Sequence, residues 1–240
     1  MIGYIDARHG VSGISLLAAL VDAGADIDRI ALQLRALTAE AVKIRAEEIV
    51  VDGLRTCRIH VAGMDARVAA GPAELLDLIR DMRLPSSAHD LATDVYRRLA
   101  AAEAHVHGVE PEAVRFEELA ALRSVVGVLG TALALEQLGI EGIAASAVPF
   151  GGGDVDTHHG RLPLPAPVTL ELLRGIPVEP QTEPGERLTP TGAAILAVTA
   201  STFGPIPPLV VDSVGIGSAA LSSPAGASLF TRVVVGRPTS

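Results

Sequence analysis

Two aspartates and two adjacent histidines stand between a glycine run and a proline run in "GGGDVDTHHGRLPLPAPVTLELL", residues 151 to 173. Imidazole and carboxylate are the side chains that bind transition metals or move protons near neutral pH, so the stretch reads as a metal site, an acid/base site or a polar loop. Adjacent histidines point apart, whereas helical ligand pairs need a spacing of three or four. A metal centre here would need a third ligand from elsewhere, with Asp154 and Asp156 as its natural partners.

A second charged cluster is "RFEELAALR", holding Arg115, Glu117, Glu118 and Arg123. The strand-like "AVRF" places Arg115 and Glu117 on one side if the extended run continues. An arginine beside a carboxylate lowers its pKa, and burial raises it, so the pair could serve as an ion pair or a general acid. A third cluster, "YIDARHG", sets Asp6 at the end of a first strand with Arg8 and His9 in the loop beyond. Ligand sites of open α/β sheets lie at that edge.

These clusters need a scaffold, and the pattern supplies one. "MIGYIDA" reads as a strand, "RHGVSG" as a tight loop and "SLLAALVDAG" as a helix stopped at Gly24, with amides at the helix start able to hold an anion. Residues 41 to 62 alternate around Asp52-Gly53, a two-residue hairpin turn. Helices follow in "AGPAELLDLIRDM", in "SSAHDLATDVYRRLAAAEAHVHG" with its Gly108 stop, and in the almost wholly apolar "SVVGVLGTALALEQLG". His105 and His107, at a helix end, read as partners of the negative dipole. "IAASAVPF" is a buried strand, "LTPTGAAILAVTASTFG" a helix entered through Thr189-Pro190, and "SLFTRVVVG" the final strand. The expected fold is α/β: one domain over residues 1 to 240 with a mixed sheet, flanking helices and a helical insertion at about 72 to 139.

Composition bounds the function. Hydrophobic residues make up 49% of the 240, enough for a core, and with two Tyr, four Phe and no Trp that core is aliphatic. A formal charge of −9 and the lack of aromatic platforms argue against nucleic acid. The single cysteine, Cys57, excludes an internal disulfide framework and fits a reducing cytoplasm. Asp6, Arg8 and His9 interrupt any leader-like run, and no stretch of eighteen apolar residues occurs, so no membrane partner is expected. The apolar excess is compatible with a homodimer.

Taken together, "YIDARHGVSGISLLAALVDAG", "AAEAHVHGVEPEAVRFEELAALRSVVGVLGTALALEQLGI", "VPFGGG", "HGRLPLPAPVTLELLRGIPV" and "LTPTGAAIL" resemble the amino-terminal part of the LarC family. The resemblance is collinear over nearly the whole chain. It implies the LarC amino-terminal fold, without the family's carboxy-terminal domain, and a link to nickel insertion into a pyridinium bisthiocarboxylate mononucleotide with CTP. The family typically reads His-Phe-His-Glu-Val-Gly-Ala-x-Asp-Ser where this chain has "RFEELAALRS": Arg115 and Glu117 replace the histidines, Arg123 replaces the aspartate and Glu118 is kept. Gly127 stands for a further aspartate. In the first loop Asp6, Ser12 and Gly13 match while Ile14 replaces an aspartate, and His159-Gly160 and "TPTGAA" are kept.

Arginine at a ligand position is a fixed cation that repels Ni²⁺. The leading expectation is therefore a metal-independent cyclase, isomerase or lyase acting on a small organic substrate, plausibly in natural-product biosynthesis, with no cofactor and no bound metal. Glu117, Glu118, His159 and His9 would form the acid/base set. Asp6, Arg8, Ser12, Gly13, Arg115, Arg123, His158, Thr189 and Thr191 would hold the substrate. The alternatives are a nickel-insertion accessory protein working with a separate carboxy-terminal-like subunit, and a non-catalytic small-molecule-binding protein.

Overall fold

The computed structural model describes residues 1–37, 42–157, 159–181, 185–219 and 229–239. In chain order the elements are β1 (Ile2–Asp6), α1 (Gly13–Asp22), α2 (Ile27–Leu34), β2 (Ile44–Val51), β3 (Leu54–Val61), α3 (Pro72–Asp81), α4 (Ser86–His107), α5 (Leu122–Gln137), β4 (Gly142–Ala145) and β5 (Val148–Pro149). There follow β6 (Asp154–Thr157), β7 (Gly160–Pro163), α6 (Pro167–Leu172), β8 (Val178–Glu179), α7 (Pro190–Thr199), β9 (Ala200–Phe203), β10 (Leu209–Ala219) and β11 (Leu229–Pro238). The architecture is mixed α/β, as expected.

Seven strands form one sheet in the order β2-β3-β10-β11-β1-β4-β9. β1 runs parallel to β4 and antiparallel to β11, pairing Ile2 with Gly236 and Asp6 with Arg232. The β2–β3 hairpin turns at Asp52 and Gly53, which take φ values of 52° and 79°, the left-handed region that Asp-Gly tolerates. Alternation then sorts the sheet's two faces. Ile5, Val233, Gly215 and Gly217 share the face that receives α1, while Tyr4, Asp6, Arg232, Val234, Val214 and Ile216 share the other.

Helix α1 starts where Ser12 and Ser15 cap each other: the Ser15 amide donates to Ser12 Oγ at 3.1 Å and the Ser12 amide to Ser15 Oγ at 2.9 Å. The Gly13 amide donates to Thr191 Oγ1 at 3.4 Å. The Ser12, Gly13 and Ser15 amides at this helix start are thus taken up within the protein. Its far side packs on α5, where Gly13 and Gly127 let the backbones meet. Helix α4 lies against α3, α5, α6 and α7, ending at Gly108 in the left-handed conformation. Leu16, Leu17, Leu20, Leu99 and Leu129 are fully buried, and Tyr96 packs near Phe116 with ring centroids 6.2 Å apart.

Three local expectations need correction. Residues 154 to 163 are no plain loop but the antiparallel β6–β7 hairpin. "AVRF" belongs to no strand, yet it is extended, with Val114 and Phe116 buried and Arg115 and Glu117 exposed on the same side. Residues 209 to 219, assigned no element from the sequence, form the long strand β10 in the middle of the sheet. No helix among the described residues is long and apolar enough to cross a membrane.

Candidate functional site

The end of α4, the extended segment after it and the β6–β7 hairpin converge on a cavity of about 490 Å³. Arg115, Glu117, Glu118 and His159 all line it, so two clusters far apart in sequence meet here. Local structure explains the placement. Residues 64 to 68 run beside 120 to 123 through backbone bonds, among them the Val68 amide to the Ala120 carbonyl at 2.9 Å and the Leu122 amide to the Ala66 carbonyl at 2.7 Å. That pairing sets Arg67 against Glu117, with which it forms an ion pair. On the hairpin, Thr157 Oγ1 donates to the Gly160 carbonyl at 2.9 Å and accepts from the His159 amide at 3.1 Å, fixing the turn that carries His159.

The cavity also receives His107, which sequence reasoning assigned to the helix dipole. Its ring lies 4.9 Å from that of His159, centroid to centroid, and its Nε2 is 3.2 Å from Glu103 Oε2 one turn back. His105 is turned elsewhere and pairs with Glu171 at 3.6 Å. The lining therefore holds two imidazoles and the carboxylates of Glu103, Glu117 and Glu118 against one guanidinium, Arg115. Among the described residues no three His, Cys, Asp or Glu side chains cluster tightly enough to hold a metal ion as they stand.

Glu186 was also missed. Burial pushes its carboxyl up to about 7, with the charge of Glu118 adding to the rise and Arg123 opposing it. A carboxyl raised from its ordinary 4.5 keeps its proton in the folded state while the unfolded chain loses it. It therefore subtracts stability as pH climbs through that window, with the full penalty above about 7. Glu186→Gln is expected to melt higher than the parent at pH 8, by an amount on the order of 1 kcal/mol, and to match it near pH 4. Thermal melts at the two pH values check this; an equal difference at both would show that titration is not the cause.

The other expected site residues are placed apart. Ser12 and Thr189 cap α1 and α7, Gly13 abuts Gly127, and Thr191 Oγ1 lies 3.1 Å from Thr189 Oγ1. None of these four lines the cavity, although Pro190 between Thr189 and Thr191 does. His9 is exposed and lines none of the cavities described here. Asp6 and Arg8 lie on the opposite face of the sheet, and His158 falls outside the described residues.

With this geometry in place, residues 3–237 match the family described as nickel insertion protein. A "Putative nickel insertion protein" of Geobacter sulfurreducens is 42% identical over 217 residues, covering 90% of this chain and 56% of the relative. A "Pyridinium-3,5-bisthiocarboxylic acid mononucleotide nickel insertion protein" of Desulfitobacterium hafniense is 37% identical over 215 residues, covering 90% and 54%. A relative from Citrifermentans bemidjiense is 37% identical over 242 residues, covering 99% and 62%. The chain thus spans little more than half the length of these relatives. No solved structure matches.

These matches overturn the metal-independent reading, and the cyclase, isomerase, lyase and natural-product expectations fall with it. The expectation that no metal is involved is corrected too, since nickel is what the named relatives insert. The residue-by-residue comparison missed His107, which adds an imidazole to the cavity where Arg115 and Glu117 stand for histidines.

Proposed function

Because the chain belongs to the nickel insertion protein family, we propose that it acts in inserting nickel into a pyridinium-3,5-bisthiocarboxylic acid mononucleotide. The 490 Å³ cavity is where the ion and the organic ring meet. The observation that carries this reading is the approach of His107 and His159 to 4.9 Å in a largely apolar cavity whose lining also holds Glu103, Glu117, Glu118 and Arg115.

The chemistry suits delivery rather than storage. A closed set of protein ligands would retain Ni²⁺, whereas imidazole and carboxylate in an incomplete set hold it loosely. Thiocarboxylate sulfurs are softer donors and outcompete oxygen for a borderline ion, so transfer to the organic acceptor runs downhill. Arg115 offers a cation to the acceptor's anionic groups. The part assigned to the residues of this cavity is the holding and delivery of nickel.

Calorimetric titration of Ni²⁺ into metal-stripped protein tests the reading. The expected result is a weak specific site, tightened when the mononucleotide is present, since it contributes its own donors. Absence of specific binding under both conditions would refute the assignment.

A further inference from the structure

The outer face of the sheet, opposite the one that receives α1, holds a second concavity of about 800 Å³ that shares no lining residue with the first. Where one face of a sheet packs on the core, the other is ordinarily polar because water covers it. Here the outer face is apolar at its middle. Val214 and Ile206, 58% and 46% exposed, line the concavity. Val211, 54% exposed, pairs with Gly236, two residues along β11 from the Val234 that pairs with Val214, so it shares that face. Exposed apolar side chains gathered on one face of a sheet mark a surface that another chain covers.

The charged groups of the lining cancel, Asp6 and Glu179 against Arg8 and Arg232. Arg8 Nε donates to Asp6 Oδ1 at 2.9 Å and its Nη2 to Oδ2 at 2.8 Å, while Arg232 donates through Nε to Oδ2 at 3.1 Å and again through Nη2. Burial alone would raise the Asp6 pKa, yet these hydrogen bonds outweigh it and hold the group well below the usual carboxylate range, so it stays ionised. Both guanidiniums remain about half exposed, and Glu179 is exposed. The whole chain carries a formal charge of −9 and two copies repel each other over most approaches, but a neutral patch removes that penalty locally. A two-fold axis through such a patch can set the acid of each copy on the bases of the other, whereas a strongly charged partner finds no net charge to pair with.

The turn between β9 and β10 supplies the shape. Ile206 stands between Pro205 and Pro207, whose rings leave the backbone little freedom, so little entropy is lost when its side chain is held by a partner. Tyr4 braces the same turn, its hydroxyl donating to the Gly204 carbonyl at 3.0 Å. A stiff apolar projection beside an apolar concavity is complementary to its own two-fold copy. We propose that the outer face of the sheet is the interface of a homodimer, with Ile206 of each copy seated against Val214 in the concavity of the other. Sheet packs on sheet in this arrangement, at a separation of about 10 Å. The assignment does not depend on the nickel reading, because the two cavities have no residue in common.

Sedimentation equilibrium of the full chain over a concentration series, with circular dichroism of each variant, provides the test. Wild type is expected to be dimeric at about 10 μM. Ile206→Glu should weaken association at least about 100-fold, because it buries an unpaired carboxylate in each half of the contact. Glu179→Lys, at an exposed position, should weaken it about tenfold by leaving the face with like charges, and keeps the test open should Ile206→Glu fail to fold. Val50→Glu, at an exposed valine near the tip of the β2–β3 hairpin, should leave the dimer unchanged. A wild type that is still monomeric at about 100 μM would overturn the proposal, since the face would then be free or meant for another chain. A dimer that neither Ile206→Glu nor Glu179→Lys weakens would overturn it by placing the interface elsewhere, and so would equal weakening by Val50→Glu.

Discussion

Gly217→Val is expected to yield no folded protein. Gly215 and Gly217 stand two residues apart on β10, both on the face beneath α1, where the helix backbone rests almost directly on the strand. A Cβ at Gly217 would overlap the Ser15 carbonyl oxygen and the Ala19 amide nitrogen and come within 2.9 Å of Ala18 Cβ. At Gly215 it would overlap the Ala19 carbonyl and lie 2.6 Å from the Ala23 amide nitrogen. Backbone atoms in a helix cannot rotate out of the way, so α1 would have to lift. That exposes a helix whose Leu16, Leu17, Ala18, Ala19 and Leu20 are entirely buried. Overpacking of this kind costs more than about 4 kcal/mol, a large fraction of the whole stability of a domain. Soluble yield and far-ultraviolet circular dichroism measure it, with Val214→Thr on the outer face as a variant expected to fold normally. A Gly217→Val protein melting like the parent would mean that α1 does not sit this close.

The second large effect belongs to the imidazole pair. Nickel transfer to the mononucleotide, measured as metal incorporated over time, should fall about 100-fold in His107→Ala and in His159→Ala. The double variant should fall little further, because two groups serving one ion are lost as a unit and their effects do not add. Multiplicative losses would instead place the histidines in separate steps. Wild-type transfer by the double variant would remove the cavity from the reaction altogether.

How far such features show in the chain depends on where their causes lie. The Asp52-Gly53 hairpin, the Gly108 helix stop and the helix entrance at Thr189-Pro190 are local, and local sequence displays them, whereas Ser12, expected to hold substrate, caps α1. The alternation over Val114 to Glu117 is local too, which is why Arg115 and Glu117 face the same way although no strand forms. Strand β10 hides because its covered face carries glycines at 215 and 217 while Val210, Val211 and Val214 are at least half exposed, which inverts the usual apolar-inward pattern. The β6–β7 hairpin hides because its outward-facing surface is polar, with Asp154 and Asp156 exposed. Glu186 draws its character from burial and from charges far away in sequence. His107 and Arg232 have partners at residues 159 and 6, and nothing in their neighbourhoods announces them.

The place of β1 in the sheet sets the order in which the protein can be made. Its neighbours are β4, which begins at residue 142, and β11, which begins at residue 229. A chain emerging from the ribosome therefore leaves its first strand without a partner until β4 has emerged, and with one edge unpaired until β11 has. Contacts this distant in sequence impose the full entropy of loop closure before they return any stability, so the sheet closes late and slowly. Until then the apolar residues of β1 and α1 are a surface that a chaperone would recognise, and the helical segment from α3 to α5, rich in short-range contacts, is the part able to consolidate first.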